Sequence, residues 1–153
     1  MGIDSINFYD IEYVYGDKPI NRVNTKPAVE DKKILLENLK KKISNIQNCE
    51  LKKHADKLVF NDGDTDSPIM IVGEGPGQKE DIEGKPFAGD AGLLLDKMLK
   101  SINIDRSKTY ITNVVNYRPP NNRKPEPAEI IRYSIFLKEH ISIVDPKILI
   151  LMG

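Results

Sequence analysis

Short apolar runs alternate with amphipathic stretches through most of the chain. Three continuous apolar runs have the length of β-strands, at 69–73, 110–115 and 147–152. Residues 28–47, 90–99 and 127–141 instead repeat their apolar positions at helical spacing. Strands separated by helices predict a parallel sheet with right-handed crossovers, and uniformly apolar strands are typical of a sheet covered on both faces. The pattern therefore predicts an α/β fold, a three-layer αβα sandwich around a short parallel sheet of three strands.

The predicted helices differ in how their faces are used. The first has an apolar stripe that includes Leu36, Leu39 and Ile43, and its lysines at 40–42 lie mostly outside that stripe. We interpret that lysine run first as a solvated helix face and only second as a contact for phosphate. The second helix starts at Asp90, a good N-cap, and its apolar positions predict a wide buried face, at 91, 94, 95, 98 and 99. The third has Pro127 near its first turn and ends at Asp145-Pro146.

The remaining segments read as irregular. Residues 1–27 are polar and broken by glycine, proline and asparagine, which predicts an extended arm before a single domain over 28–153. Residues 48–67 are predicted to be a loop in which 58–60 pair as an edge strand and 61–64 form a turn.

Composition narrows the classes of protein. The 23 basic and 23 acidic residues balance, so any contact with nucleic acid must come from a local patch. The single cysteine, Cys49, excludes a disulfide within the chain and suits a reducing compartment. No secretory signal and no apolar run of membrane-spanning length is present, so the expected location is the cytoplasm, with no membrane partner.

The most informative segment lies between the first strand and the second helix, where residues 73–89 read GEGPGQKEDIEGKPFAG. Strand, glycine-rich loop and helix in this order form the usual ligand site of α/β proteins, at the carboxyl ends of parallel strands. The glycines could instead permit only a tight turn, or could hold a phosphate. A Walker loop is excluded because no Gly-Lys-Ser/Thr follows, and Gln78 replaces the third glycine of the dinucleotide pattern.

Three blocks of the sequence resemble the uracil-DNA glycosylase superfamily, and most closely its family 4. The blocks agree in order and spacing over about residues 45–153, and they read GEGPGQKEDIEGKPFAGDAGLLLDKML, TYITNVVNYRPPNNRKPEPAEI and DPKILILMG. The resemblance implies a protein of base-excision DNA repair, a hydrolase that cleaves the N-glycosidic bond of uracil in DNA. Such an enzyme flips the nucleotide out of the stack and binds the base by stacking and by its Watson–Crick edge.

The resemblance also implies roles for individual residues. Gly73, Glu74 and Gly75 would line a uracil pocket, with Glu74 as the catalytic residue that positions or polarises a water. The ring of Phe87 would stack on uracil, and the amide of Asn113 would pair with its edge and reject cytosine. Taken singly, Glu74 reads as an exposed loop acid, Phe87 as core and Asn113 as a strand-end residue that satisfies backbone.

Contact with the DNA backbone is implied for a second group, Pro76, Gly77, Arg118 and Arg123. The basic residues of this group stand in a proline-stiffened loop with Lys124, where contact with phosphate and contact with solvent are equally expected.

Two departures from the family bear on activity. Usual members hold an iron–sulfur cluster with four cysteines, and here only Cys49 matches a ligand, since Ile46, Tyr117 and a position at or next to Tyr133 occupy the others. We therefore predict no cofactor and no metal, with tyrosines packed in the vacated space.

The second departure is that the family's His-Pro-Ser segment and last strand lie beyond the sequence. Neither His54, in a lysine-rich loop, nor His140, expected at a helix surface or end, matches a pocket position. We therefore expect weak or absent hydrolysis, because losing one donor to the developing charge costs about a hundred-fold in rate or more. The alternatives are a non-catalytic DNA- or protein-binding remnant, or one half of a split glycosylase whose second chain supplies the missing segment. An exposed apolar edge after residue 147 would favour the split form.

Overall fold

The structure is a computed structural model that describes residues 29–152. The helices are α1 Val29–Ser44, α2 Glu50–His54, α3 Gln78–Glu83, α4 Asp90–Ser101 and α5 Pro127–Val144. The strands are β1 Asp62–Gly63, β2 Ile69–Gly73, β3 Tyr110–Asn113 and β4 Ile148–Leu151. Within this part of the chain no helix is long and apolar enough to cross a bilayer. The predicted arm, residues 1–27, lies outside the described residues and stays a prediction.

The four strands form one sheet in the order β1-β3-β2-β4. The three predicted strands are present, and β2 runs parallel to both β3 and β4. The parallel arrangement predicted for these three strands is confirmed, and a fourth, short strand, β1, pairs antiparallel with β3. Gly63 permits this pairing: its φ is +87°, and a Cβ there would lie 1.8 Å from the carbonyl oxygen of Thr109.

The apolar run at 58–60 is not the edge strand that the pattern predicted, and the predicted turn contains β1 instead. The Val59 N–H donates to the carbonyl of Asn116 over 2.9 Å, and the Asn116 amide donates back to the Val59 carbonyl over 3.1 Å. This exchange buries the run against the segment that follows β3. The run therefore serves the core rather than a sheet edge.

The core has two parts, one on each face of the sheet, as a three-layer sandwich requires. Met70 and Val72 of β2 point into a large cluster with α1, α2 and α5, while Ile71 points into a smaller cluster with Leu95 and Leu99 of α4. Alternate side chains of β2 thus reach opposite layers, as the period of a strand dictates. The α/β prediction is confirmed, and the chain is apolar at the right places to build it.

Several helix boundaries differ from the pattern. The predicted loop 48–67 contains α2. Helix α1 ends at Ser44, where the chain enters a turn. Gly89, not Asp90, is the N-cap of α4; the Asp90 carboxylate instead pairs with Lys79 at 2.9 Å. α5 extends to Val144, where Asp145 at φ 51° closes it by donating its N–H to the Ile141 carbonyl.

Two predictions of burial are wrong. The face of α4 is narrower than expected, since Leu94 and Met98 are 59% and 52% exposed and line an open cavity. All four residues of β4 are exposed, by 38% to 70%, because β4 is an edge strand that residues 29–152 leave uncovered on its outer side. Only β2 and β3 show the burial expected of strands covered on both faces.

His140 is buried rather than at a helix surface. It is 1% exposed, its Nδ1 lies 2.9 Å from the hydroxyl of Tyr110, and its ring centroid is 4.6 Å from that of Phe60. Its position on α5 turns it toward the sheet, where β3 supplies the tyrosine. His140 is therefore a core residue that a single sequence position could not reveal.

Candidate functional site

The carboxyl ends of β2 and β3 place the glycine loop beside Asn113. Gly73 and Asn113 are register partners in the parallel pair. Two hydrogen bonds continue the pairing into the loop, from the Val114 N–H to the Gly73 carbonyl at 2.8 Å and from the Val115 N–H to the Glu74 carbonyl at 3.2 Å. The loop backbone is thereby held against the end of β3, where ligands of α/β sheets bind.

A cavity of about 400 Å³ opens at this point. Its lining contains every predicted pocket residue, namely Gly73, Glu74, Gly75, Phe87 and Asn113. The lining also includes apolar side chains of α4 and of the residue after β4, among them Leu94, Met98 and Met152. The structure thus brings together residues that are 40 positions apart in the sequence, Gly73 and Asn113.

Gly73 is required by the side chains around it. A Cβ at this position would lie 2.4 Å from Oδ1 of Asn113 and 2.8 Å from two ring carbons of Phe87. Those distances are far below van der Waals contact, so no side chain fits without displacing both groups. The absent side chain lets the Asn113 amide and the Phe87 ring both pack against the Gly73 backbone, and we call the part of the cavity that these three residues line the slot.

Asn113 supplies a donor and an acceptor to this slot. It is 3% exposed and lines the cavity, and among the described residues its amide has no hydrogen-bond partner. Asn116, three positions later, is buried too, but its amide is used to hold Val59. The Asn113 amide does not satisfy the backbone at the strand end, and its place in the cavity lining leaves its donor and acceptor available to a molecule bound there.

Glu74 and Phe87 add a carboxylate and an aromatic ring to the cavity lining. The Glu74 carboxylate is partly exposed, lines the cavity and forms no ion pair or hydrogen bond within residues 29–152. Phe87 packs on the smaller core cluster, as the core interpretation expected, while its ring also lines the cavity. Its φ is 51°, a left-handed conformation that is unfavourable for a bulky side chain.

Glu80 is a site residue that the sequence analysis missed. One carboxylate oxygen accepts from the Gly77 N–H at 3.1 Å and the other from the Gly89 N–H at 2.8 Å. The signal was available, because a glutamate at the third position of α3 after Gly77 is the acidic member of a capping box. The carboxylate ties the glycine loop to the Pro-Phe-Ala-Gly turn.

The same contacts oppose the phosphate interpretation of the glycine loop. The amides of Gly77 and Gly89 already donate to Glu80, and the Glu74 carboxylate faces the same cavity. Two carboxylates repel a phosphate, and used amides cannot cradle one. The cavity instead combines an amide, a carboxylate, an aromatic ring and apolar side chains, which favours an uncharged ligand over a phosphate.

The predicted DNA-backbone residues border a second cavity of about 160 Å³. Its lining includes Pro76, Gly77 and Arg123, together with Lys124. The Arg123 guanidinium forms a bidentate pair with Glu129 at 2.7 and 2.8 Å, and the hydrogen bonds from that pair raise the pKa of Arg123 and lower the pKa of Glu129.

Arg118 borders a neighbouring cavity instead. Its Nη1 is 3.9 Å from the buried Asp81 carboxylate, and its Nε donates to Asn122 at 2.7 Å. Both predicted arginines therefore carry internal partners, a feature that the sequence did not show.

The residues at the expected iron–sulfur position do not fit a cluster. The Cys49 sulfur lies 3.3 Å from the Tyr133 hydroxyl, and Tyr117 is buried in the same core cluster, which also includes partly buried Ile46. Desolvation raises the pKa of both tyrosines, so they are neutral packing groups rather than anionic ligands. Within residues 29–152 no three His, Cys, Asp or Glu side chains are grouped to hold a metal ion.

Comparison with known proteins identifies the family of the chain. The sequence model of the Uracil DNA glycosylase superfamily matches residues 60–153. The chain is 44% identical over 119 residues to a type-4 uracil-DNA glycosylase from Sulfurisphaera tokodaii, covering 77% of this chain and 54% of that relative. It is 40% identical over 119 residues to a type-4 uracil-DNA glycosylase from Thermotoga maritima, covering 78% of this chain and 62% of that relative.

A third relative, a type-4 uracil-DNA glycosylase from Saccharolobus solfataricus, is 43% identical over 112 residues, covering 72% of this chain and 52% of the relative. The chain thus spans between about half and three fifths of the length of these curated relatives. The matched region contains both ends of the cavity, from the glycine loop through β3 to β4. The chain belongs to the uracil-DNA glycosylase superfamily.

Proposed function

We propose that this chain carries the uracil-recognition site of a uracil-DNA glycosylase, which hydrolyses the N-glycosidic bond of uracil in DNA. The observation that carries the proposal is the slot at Gly73, bounded by the Asn113 amide and the Phe87 ring. A flipped uracil would enter this slot, stacked on Phe87 with its Watson–Crick edge toward Asn113.

The chemistry of the slot explains the choice of base. Uracil presents an N–H beside carbonyl oxygens, which match the acceptor and donor of the Asn113 amide. Cytosine presents an acceptor and an amine at the same places, and a buried amide facing the wrong partners loses its hydrogen bonds. Glu74, with no internal partner among the described residues, would orient a water toward the sugar as the base leaves.

Contact with DNA is proposed at the border of the second cavity. Pro76 and Gly77 stand there beside Arg123, with Arg118 on the neighbouring surface, so a backbone phosphate would meet the loop after the base enters the slot. Because net charge is zero, this local patch would supply most of the electrostatic attraction to DNA.

We also propose that β4 pairs with a further polypeptide segment, carried by a second chain. The Ile148 N–H donates to the carbonyl of Pro68, just before β2, and the Met152 N–H to that of Val72 in β2. The alternate residues Leu149 and Leu151 therefore direct their N–H and C=O groups outward. Both faces of this edge are apolar and exposed, and Met152 joins it to the cavity wall formed by Leu94 and Met98. A strand added here would pair the free groups and help enclose the cavity.

Location in the cytoplasm is part of the proposal. The buried thiol of Cys49 has no second cysteine to pair with, which suits a reducing compartment.

The activity is tested by incubating the purified chain with a uracil-containing oligonucleotide and measuring alkali-labile abasic sites. We expect weak or absent cleavage, with selective binding of uracil-containing DNA, and we expect both activities to be lost in Asn113→Ala and unchanged in Asn45→Ala, an exposed position remote from the cavity. If the folded wild-type chain neither cleaves nor binds uracil-containing DNA more tightly than thymine-containing DNA, the uracil site is refuted. Selective binding without cleavage would establish a non-catalytic recognition module.

The β4 interface is tested by sedimentation of the chain alone at several concentrations. An uncovered apolar edge favours association between copies until its partner segment occupies it, so the wild-type chain is expected to associate. Leu151→Lys places a charge on the edge and should give a monomer, whereas Ile131→Lys, equally exposed on α5, should not. A wild-type chain that stays monomeric at high concentration would contradict an open pairing edge.

A further inference from the structure

The Pro-Phe turn that presents the Phe87 ring is held in an unfavourable backbone conformation. Phe87 has a φ of 51°, and its carbonyl oxygen lies so close to α4 that a Cβ on Gly92 would approach it to 1.8 Å. A bulky residue is unfavourable in the left-handed region and persists there only where surrounding contacts impose that conformation. The ring's place in the cavity therefore depends on whatever holds the turn.

Arg106, on the 3-10 turn Arg106–Lys108 before β3, makes those contacts. Its Nη2 donates to the Pro86 carbonyl at 2.6 Å and its Nη1 to the Phe87 carbonyl at 3.0 Å. The planar guanidinium fork thus spans two successive carbonyls of the turn, which a lysine ammonium cannot do with the same geometry.

The guanidinium is itself fixed from two directions. Its Nε donates to the Asp62 carboxylate of β1 at 2.9 Å, and its Nη1 reaches the Asp96 carboxylate of α4 at 3.2 Å. β1 is hydrogen-bonded to β3, which carries Asn113 at its other end. Arg106 therefore links the turn that carries the aromatic ring to the strand that carries the amide.

Glu80 holds the other end of the same turn with the opposite charge. Its carboxylate accepts from the Gly89 N–H, and through its second oxygen from the Gly77 N–H of the glycine loop. A cation thus binds the carbonyls of the turn and an anion binds its amide, each the stronger, charge-assisted form of hydrogen bond.

We propose that Arg106 is a positioning residue for base recognition: by binding the Pro86 and Phe87 carbonyls, it sets the separation between the Phe87 ring and the Asn113 amide. Arg106 does not line the cavity with these groups, so it acts through Phe87 rather than on the base. The effect on the base rests on the proposed function, whereas the effect on the turn does not.

The first test measures amide hydrogen exchange of residues 85–92 in Arg106→Met and Arg106→Lys. We expect exchange in this segment to accelerate about tenfold to a hundredfold in Arg106→Met, because charge-assisted bonds to both carbonyls are lost, and less in Arg106→Lys. Exchange in β2 should be unchanged. The matched control is Arg132→Met, since Arg132 also donates to two backbone carbonyls, those of Gln47 and Asn48, far from the cavity.

The second test titrates uracil-containing and thymine-containing single-stranded oligonucleotides into the same variants. Arg106→Met should lose about tenfold of the preference for uracil, Arg106→Lys should restore part of it, and Arg132→Met should keep it in full. Unchanged exchange at 85–92 in Arg106→Met, or faster exchange with the uracil preference intact, would overturn the positioning role. A wild-type chain without uracil preference would refute the proposed function, and the exchange result would still decide whether Arg106 holds the turn.

Discussion

At the scale of single residues, the cavity depends on what is absent at Gly73 as much as on what is present. The Asn113 amide and the Phe87 ring both reach the Gly73 backbone because no Cβ keeps them away from it. Many glycine pairs only permit a turn, but here backbone freedom is secondary, because Gly73 has no positive φ. The glycine is explained by the close approach of these two groups, which both line the cavity.

Gly73→Ala is therefore expected to fold and to lose base binding. The added methyl would lie 2.4 Å from Asn113 Oδ1, so the amide or the ring must move. We expect uracil affinity to fall about tenfold or more, at a cost in stability of about 1–3 kcal/mol typical of overpacking. Titration with uracil-containing oligonucleotide and thermal unfolding measure the two effects. Full affinity in a folded Gly73→Ala variant would show that the ligand does not use the slot.

His140 makes the stability of the fold depend on pH. Burial lowers its pKa from 6.5 to about 4, because the imidazolium would lack solvation beside Tyr110 and Phe60, and its Nε2 has no hydrogen-bond partner. The unfolded chain therefore binds the proton first as pH falls. The contribution of neutral His140 is complete above pH 6.5 and is lost as pH falls from 6.5 to about 4, a change of about 3 kcal/mol.

Urea unfolding at pH 7 and pH 4 measures this contribution. The comparison variant combines His140→Phe with Tyr110→Phe, so that neither partner is left without its hydrogen bond. We expect the wild-type free energy of unfolding to decrease by about 3 kcal/mol more than that of the double variant. Equal decreases would mean that His140 is not the titrating group.

At the scale of elements, side chains from the surrounding helices and loops occupy the position expected for the family's iron–sulfur cluster. Cys49 precedes α2, Tyr117 follows β3 and Tyr133 lies on α5, and all three are buried in one cluster. Aromatic rings bury enough apolar area to join these elements without a metal. The Cys49 thiol and the Tyr133 hydroxyl satisfy each other at 3.3 Å.

We expect the fold to be independent of iron. The melting temperature should be the same with and without a strong iron chelator, since packing rather than metal ligation joins α2 to α5. Tyr133→Phe should lower stability by about 1 kcal/mol through loss of one buried hydrogen bond. Calorimetry of the wild-type chain with and without the chelator tests the first expectation, and calorimetry of Tyr133→Phe beside the wild type tests the second. A chelator-dependent melting temperature would show that Cys49 takes part in a metal site.

At the scale of the whole molecule, the net charge is zero, so the proposed attraction to DNA would have to come from a local patch. The predicted phosphate contact Arg123 is bound to Glu129 at 2.7 Å, which lowers the charge available to DNA. The pair also supports the first turn of α5, where Glu129 accepts from the Glu126 N–H. The arginine therefore has a structural partner as well as a proposed ligand.

This pairing predicts opposite effects for two substitutions. Arg123→Ala should weaken binding to all DNA sequences alike and reduce the slope of log affinity against log salt by about 1. Glu129→Gln should release the guanidinium and strengthen binding. Fluorescence anisotropy over a range of salt concentrations measures both slopes. If Arg123→Ala changes stability but not the salt slope, Arg123 does not contact phosphate.

The sequence alone determined the layers of the fold, and it predicted a ligand site at the glycine loop after β2. Continuous apolar strands and helical stripes were sufficient to predict β2, β3, β4 and the sandwich, because burial on two faces leaves a local pattern. The glycine loop after β2 could be predicted as a candidate site because strand, loop and helix follow one another directly in the sequence. A structural feature that depends only on neighbouring residues in the chain can be predicted from a single sequence.

Only the tertiary structure decided which of those residues act together. The unpartnered Asn113 amide, the burial of His140, the internal partners of Arg123 and the contacts of Arg106 and Glu80 all depend on groups distant in the chain. Such contacts are set by how strands and helices pack, which leaves no periodic trace in the sequence. The exposed edge of β4 shows the same limit, since its apolar sequence predicts burial and only the order of strands places it at the edge.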